Sequence, residues 1–281
     1  MSAPVPRPNA RRRFGKGRLA GALAMFASVH AFAAPGLAVV TAREGDAALA
    51  RPEAKAERPG LHASFAPDGH RLETGAKGRI ALALSNQSGV EIGPGTRVVA
   101  QAFRQERFSE DQARRSLEPS VSKVRFRLER GWLAISAGEL RASSTFRVAT
   151  PHGEIRVNSG QCSIHVDGGE LTVLTRAGSA TVFNRDKTRR EFLIDNNIVH
   201  LEDGDLAASN VRATGAAGAS ELPGPWGDRL QNATAARKRI HFVRREQPRP
   251  NGVLVDPMPV VPASYYERPP TVPYTDALEE F

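Results

Sequence analysis

Residues 146–182, FRVATPHGEIRVNSGQCSIHVDGGELTVLTRAGSATV, decide the fold. Apolar and polar residues alternate along most of this stretch, and Gly, Pro and Asn collect between the alternating runs. That pattern predicts short half-buried strands at 145–149, 155–157, 162–166, 171–174 and 180–183, with Asp167-Gly168-Gly169 as a hairpin turn. Cys162 is in phase with Ile164 and Val166, so it reads as a small core residue and not as a nucleophile.

The same beat extends in both directions. On the N-terminal side it runs through 70–103, broken by Gly75–Gly78, by Asn86–Gly89 and by Gly93-Pro94-Gly95. It resumes at 123–128 (KVRFRL), where Val124, Phe126 and Leu128 face inward, turns at Arg130-Gly131, and continues at 132–135 with Trp132 as a core or rim residue. On the C-terminal side it closes with strands at 191–194 and 198–201. Strands about ten residues apart, separated by turn residues, predict an all-β sandwich, barrel or β-solenoid. Short turns favour antiparallel pairing, because parallel neighbours need a long crossover. Residues 34–69 read as a first strand at 39–42 followed by a loop or insertion over 47–59. Residues 104–122 (RQERFSEDQARRSLEPSVS) read as an exposed charged loop with one short helical turn. Its Arg104, Arg107, Arg114 and Arg115 form the candidate partner surface.

The order LETGAKGRIALALSNQSGVEIGPGTRVV, LERGWLAIS, then the stretch quoted first, resembles the FecR domain. Thr74-Gly75, Gly78, Gly89, Gly93, Thr96, 128–133, 146–151, 171–174 and Val182 carry the resemblance, which covers about 70–205. It departs from the family pattern at Asn158-Ser159-Gly160, at Cys162, and at Leu174-Thr175-Arg176 with a displaced Gly178. The resemblance implies a jelly-roll-like β-sandwich in a bacterial envelope protein. The best-known members relay a receptor signal to a sigma factor through a cytoplasmic segment, one membrane span and a receptor-contact domain. No counterpart of those parts is expected here, so a complete sigma regulator is not implied.

Both ends read as non-globular. The net charge of +9 invites a nucleic-acid partner, but Arg7, Arg11, Arg12, Arg13, Lys16 and Arg18 lie in a segment with no acidic residue, so the excess argues for export instead. A basic block at 11–18, an apolar run at 19–29 and Ala31-Phe32-Ala33 follow the order of a signal peptide, predicting cleavage after Ala33 and a periplasmic or secreted protein. The apolar run is too short to span a bilayer, which takes about 20 residues. Contact with the membrane is therefore expected only if the signal stays uncleaved. Arg11-Arg12-Arg13-Phe14-Gly15-Lys16 also resembles a twin-arginine signal. Residues 206–227 read as a linker, 228–246 as a solvated basic helix with Asp228 as its cap, and 247–281 as a proline-rich disordered tail with Tyr265, Tyr266 and Tyr274.

No catalytic, cofactor or metal site is predicted. His62, His70, His152, His165, His200 and His241 lack the spacing of metal ligands, and His152 is placed in an exposed turn. The single cysteine cannot form an internal disulfide. The expected function is non-enzymatic binding of a protein or an envelope polysaccharide. The alternative is a surface or matrix protein that works through its tail.

Overall fold

The computed structural model describes residues 34–113, 117–206, 212–213, 225–249 and 252–260. In chain order the strands are β1 (Ala34–Pro35), β2 (Ala38–Glu44), β3 (Ala47–Ala50), β4 (Ser64–Phe65), β5 (Arg71–Thr74), β6 (Arg79–Leu84), β7 (Gly89–Ile92) and β8 (Arg97–Gln105). One helical turn, α1 (Glu110–Ala113), separates these from β9 (Ser122–Glu139), β10 (Thr145–Thr150), β11 (Gly153–Asp167), β12 (Glu170–Asn184), β13 (Arg190–Leu193), β14 (Asn197–Glu202) and β15 (Arg212–Ala213). The chain then forms α2 (Trp226–Arg239) and a separate hairpin of β16 (His241–Arg249) and β17 (Gly252–Val260).

Strands β1 to β15 make one open 15-stranded sheet, folded into two layers around a shared core. Three long strands do the folding. The first half of β9 pairs with β8 and β10, and its second half with β7 and β11. The first half of β11 lies between β10 and β12, its second half between β9 and β12. The first half of β12 pairs with β14, its second half with β13. One layer therefore reads β4-β2-β6-β7-β9-β11-β12-β14-β15, and the other β3-β5-β8-β9-β10-β11-β12-β13.

Each long strand changes layers by the same device. One residue is skipped in the pairing, Glu129 in β9, Asn158 in β11 and Arg176 in β12, and two positions later comes a glycine with positive φ: Gly131 at 87°, Gly160 at 78° and Gly178 at 83°. A skipped residue shifts the side-chain alternation by one. In β9 the inward residues are Val124, Phe126 and Leu128 before the skip, and Leu133, Ile135 and Ala137 after it. In β11 they change from Ile155 and Val157 to Cys162, Ile164 and Val166; in β12 from Leu171 and Val173 to Ala180 and Val182. The phase change keeps the apolar face on the core as the strand turns its corner.

Several sequence expectations are corrected by this architecture. Arg130-Gly131 and Asn158-Ser159-Gly160 are corners inside continuous strands, not turns between separate ones. The solenoid alternative fails because the strand pairs are antiparallel with one exception, β9 with β10. That parallel pair needs no separate crossover, because the second half of β9 in the other layer serves as one. Residues 47–50 are a strand and not part of a loop, pairing with β5. The 104–122 segment does contain one helical turn, but it is anchored, since Phe108, Glu118 and Ser120 are buried. Glu118 accepts hydrogen bonds from the Ser122 hydroxyl and, at 2.9 Å, from the Arg141 backbone.

The largest correction concerns the helix. It starts at Trp226, with Pro225 at the N-cap position and Asp228 inside the first turn, and it ends at Arg239. It is not a solvated element: Trp226, Arg229, Leu230, Ala233 and Ala236 are buried. It stops where Ile240 and Phe242 insert beside Val39, Ala83 and Phe108, which takes an extended backbone. Residues 241–249 and 252–260 pair as strands, where the sequence pattern predicts the helix end and the start of a disordered tail. The signal segment, the tyrosines and most of the expected linker lie outside the described residues.

The corner glycine Gly160 gives a test by chemical denaturation, with the hairpin glycine Gly168 as its reference. Gly168, at φ 53° with open space around it, should cost about 1 kcal/mol on Gly168→Ala through backbone strain alone. Gly160→Ala should cost a further ~1–3 kcal/mol through crowding, because its Cβ would sit 1.9 Å from the Ala177 carbonyl oxygen.

Candidate functional site: one closed face and one open face

The two layers present different outer faces, set by the residues that alternate with the core. On the β2-to-β15 layer most of the outward residues in two neighbouring rows are small. Ala81, Glu91, Ala134, Ser163 and Leu174 form one paired row, and Ala83, Gly89, Ser136 and Gln161 the next. Small residues leave room for a helix, and α2 fills it. A Cβ on Gly89 would lie 1.9 Å from the Ala233 carbonyl oxygen, so the closest approach requires glycine there. The Gln161 amide donates to the Thr234 hydroxyl at 2.8 Å, and Arg239 donates to the Thr41 carbonyl at 3.1 Å.

The seam under α2 holds a polar and aromatic cluster. Trp132 stacks on His165 with centroids 3.8 Å apart and meets Trp226 edge-on at 4.6 Å. The Arg229 guanidinium lies 4.7 Å from the Trp132 ring centre and 3.4 Å from Glu91. Glu91 is only 1% exposed. Burial pushes its carboxyl up, opposed by the charges of Arg229 and Arg79. Burial likewise pulls Arg229 down, opposed by Glu91. Trp132 is thus a stacking platform, but the chain's own helix occupies it. Burial also lowers the His165 imidazole, with Asp167 and Glu170 acting against it and Arg229 with it.

The outer face of the other layer carries no helix among the described residues. Arg125 on β9 pairs with Arg147 on β10, which pairs with Arg156 on β11, then Thr181 on β12 and Phe192 on β13. The neighbouring row is Arg127, Ala149, Glu154, Phe183 and Arg190. Lys123 lies beyond Arg125, next to Arg104 of β8. Lys123, Arg125 and Arg127 are exposed and make no ion pair among the described residues. In this row like charges stand directly opposite each other, which costs stability. Its partial relief is Glu154, which bonds Lys187 at 2.8 Å and lies 3.8 Å from Arg147. Burial acts to raise this carboxyl, but the Lys187 hydrogen bond and the charges of Lys187, Arg147 and Arg125 outweigh it and hold the group below its ordinary value. Such a surface can bind carboxylates or phosphates by forked hydrogen bonds.

Of the four arginines expected as a partner surface, two lie among the described residues. Arg104 joins this basic face and pairs with Asp68. Arg107 is exposed beyond the end of β8. Arg114 and Arg115 lie outside the described residues. The residues missed were Lys123, Arg125, Arg127, Arg147 and Arg156. Their signal was present, because they are the outward alternates of KVRFRL, FRVAT and GEIRV, but reading only the inward set passes over them. His152 is buried, contrary to expectation, with its Nε2 2.9 Å from the Gly168 carbonyl oxygen. Cys162 is fully buried, and burial pushes its thiol up to about 12. Among the described residues no three His, Cys, Asp or Glu side chains gather as a metal site. No helix among them is long and apolar enough to cross a membrane.

Residues 70–181 match the family described as FecR protein, and this segment is a FecR domain. The match begins where the sequence resemblance does and ends within β12. Two crystal structures of a candidate anti-sigma factor from Parabacteroides distasonis are similar, at 13% and 12% identity, each with a TM-score of 0.39. Each alignment covers 51% of this chain and 59% of that one. No curated protein matches.

Two measurements test the closed face. Arg229→Ala leaves the Glu91 charge buried without its partner and should cost about 3–5 kcal/mol in chemical denaturation, most of it recovered in Glu91→Gln/Arg229→Met. For His165, the folded state holds the imidazole below its ordinary value. The unfolded chain therefore binds the proton more readily. The stabilisation is complete above about pH 6.5 and is lost as pH falls from there through the depressed value. The chain has two tryptophans, and both lie in this seam. Their fluorescence should change over that range, and His165→Asn should remove the change.

Proposed function

We propose that this FecR-domain chain is an exported, non-catalytic binding protein of the bacterial envelope, with a signalling-related role. On this reading it takes an anionic protein or polysaccharide surface on its open face. The observation that carries the reading is the cross-strand row Arg125–Arg147–Arg156. Three guanidinium groups in register are unfavourable for the isolated domain and complementary to a repeated anion. The FecR domain at 70–181 supports the signalling role. The basic block, apolar run and small-residue site within residues 1–33 support export. Arg104 and Arg107 extend the same basic surface, and Arg114 and Arg115 are assigned to it from their place in the sequence.

The reading separates stability from binding. Arg125→Thr should stabilise the fold by about 0.2–1 kcal/mol in denaturant melts, since it removes a like-charge pair. The same change should weaken binding of polygalacturonate and polyglutamate in low salt. The triple variant Arg125→Glu/Arg127→Glu/Arg147→Glu should lose at least tenfold in affinity for both. Unchanged affinity in the triple variant would sink the proposal. Mass spectrometry of the exported protein should find Ala34 at the N-terminus; an intact Met1 would refute cleavage.

A further inference from the structure

Resting on the arginine-face reading, we infer that the partner is an acidic polypeptide, one segment of which adds as an extended strand to the free edge of β13. Four observations converge there. Among the described residues β13 pairs only with β12, so its other side presents unpaired backbone groups. Its outward side carries Phe192 and, just past its end, Ile194, which are 59% and 53% exposed. Sheet edges are usually blunted by inward charge, proline or a covering loop; Glu191, opposite the core residue Val182, is one such charge, but the two large apolar side chains on the outward side do the opposite. Arg190 shares the outward side with Phe192, and Lys187 and Arg189 precede it in an exposed turn. Finally, Phe192 ends the row that contains Arg125, Arg147 and Arg156. Four strand spacings of about 4.8 Å place it roughly 19 Å from Arg125.

These features select a peptide over a glycan. A polysaccharide can neutralise the arginines, but it lacks the evenly spaced N–H and C=O groups that a strand edge pairs with. An extended peptide supplies them, and every second side chain falls on the outward face. The order Arg190, Phe192, Ile194 calls for an acidic residue followed by two apolar ones at alternate positions of the incoming strand. The rest of an acidic partner then covers the arginine row. Arginine beside an exposed aromatic is also the composition that dominates binding energy at protein interfaces.

The probe is a short capped peptide whose same-face residues are Glu, Val and Val, with Thr between them. Its backbone-N-methylated analogue and polygalacturonate serve as comparisons, all against the full mature chain. The peptide should bind and slow hydrogen exchange at the amides of residues 190–194. Phe192→Ser should weaken it at least tenfold, and the methylated analogue should not bind. Phe192 is exposed, so an unchanged melting temperature confirms that this variant folds. No binding of the peptide, or binding without protection of β13 and without dependence on Phe192, overturns strand addition. In either case polygalacturonate binding that is lost in the triple arginine variant leaves the arginine-face reading standing. If polygalacturonate binding is instead unchanged by that variant, the arginine-face reading itself falls.

Discussion

The structure depends on one backbone constraint used three times: a skipped residue followed two positions later by a glycine with positive φ. Glu129 and Gly131, Asn158 and Gly160, and Arg176 and Gly178 let β9, β11 and β12 leave one layer and enter the other. Without the skip, a strand that turned the corner would swing its apolar set away from the core. Without glycine at the bend, a Cβ would crowd the neighbouring strand, as at Gly160 and Ala177. The two departures from the FecR pattern at 158–160 and around Gly178 fall on such corners. They face each other across the β11–β12 pair, Gly160 opposite Gly178.

Once the layers exist, the outward residues decide what each can hold. Ala, Gly and Ser on one side allow a helix to approach to backbone contact, and the chain supplies that helix itself. The cost is a buried Glu91–Arg229 pair, held by Trp132, and a histidine kept neutral. Lys and Arg on the other side repel one another and leave a cationic surface. The division of labour follows from size and charge at alternate positions, not from any special fold.

Much of the domain is legible in the sequence. Alternation places most strands, the Gly168-Gly169 turn is plain, and Cys162 reads as core. The basic face is half legible, because KVRFRL displays its outward Lys and Arg as clearly as its inward Val, Phe and Leu. That Arg147 and Arg156 stand beside Arg125 is not, since it depends on the parallel register of β9 with β10. The sequence pattern misplaces the helix at both ends, because its charges suggest solvent. Its buried side is a short run of Trp, Leu and Ala, and its end is set by where Ile240 and Phe242 find a pocket.

What the sequence determined by itself is therefore local. Side-chain alternation makes strands, glycine and asparagine make turns, and the order of motifs marks a FecR domain over much of the middle of the chain. Tertiary structure alone decided which strands are shared between layers, that α2 closes one face, and that three arginines from three strands meet on the other. The physical reason is that alternation specifies which side of a strand is apolar but not which strand lies beside it. Pairing register and helix docking are set by contacts between residues far apart in the chain, and no local pattern encodes those distances.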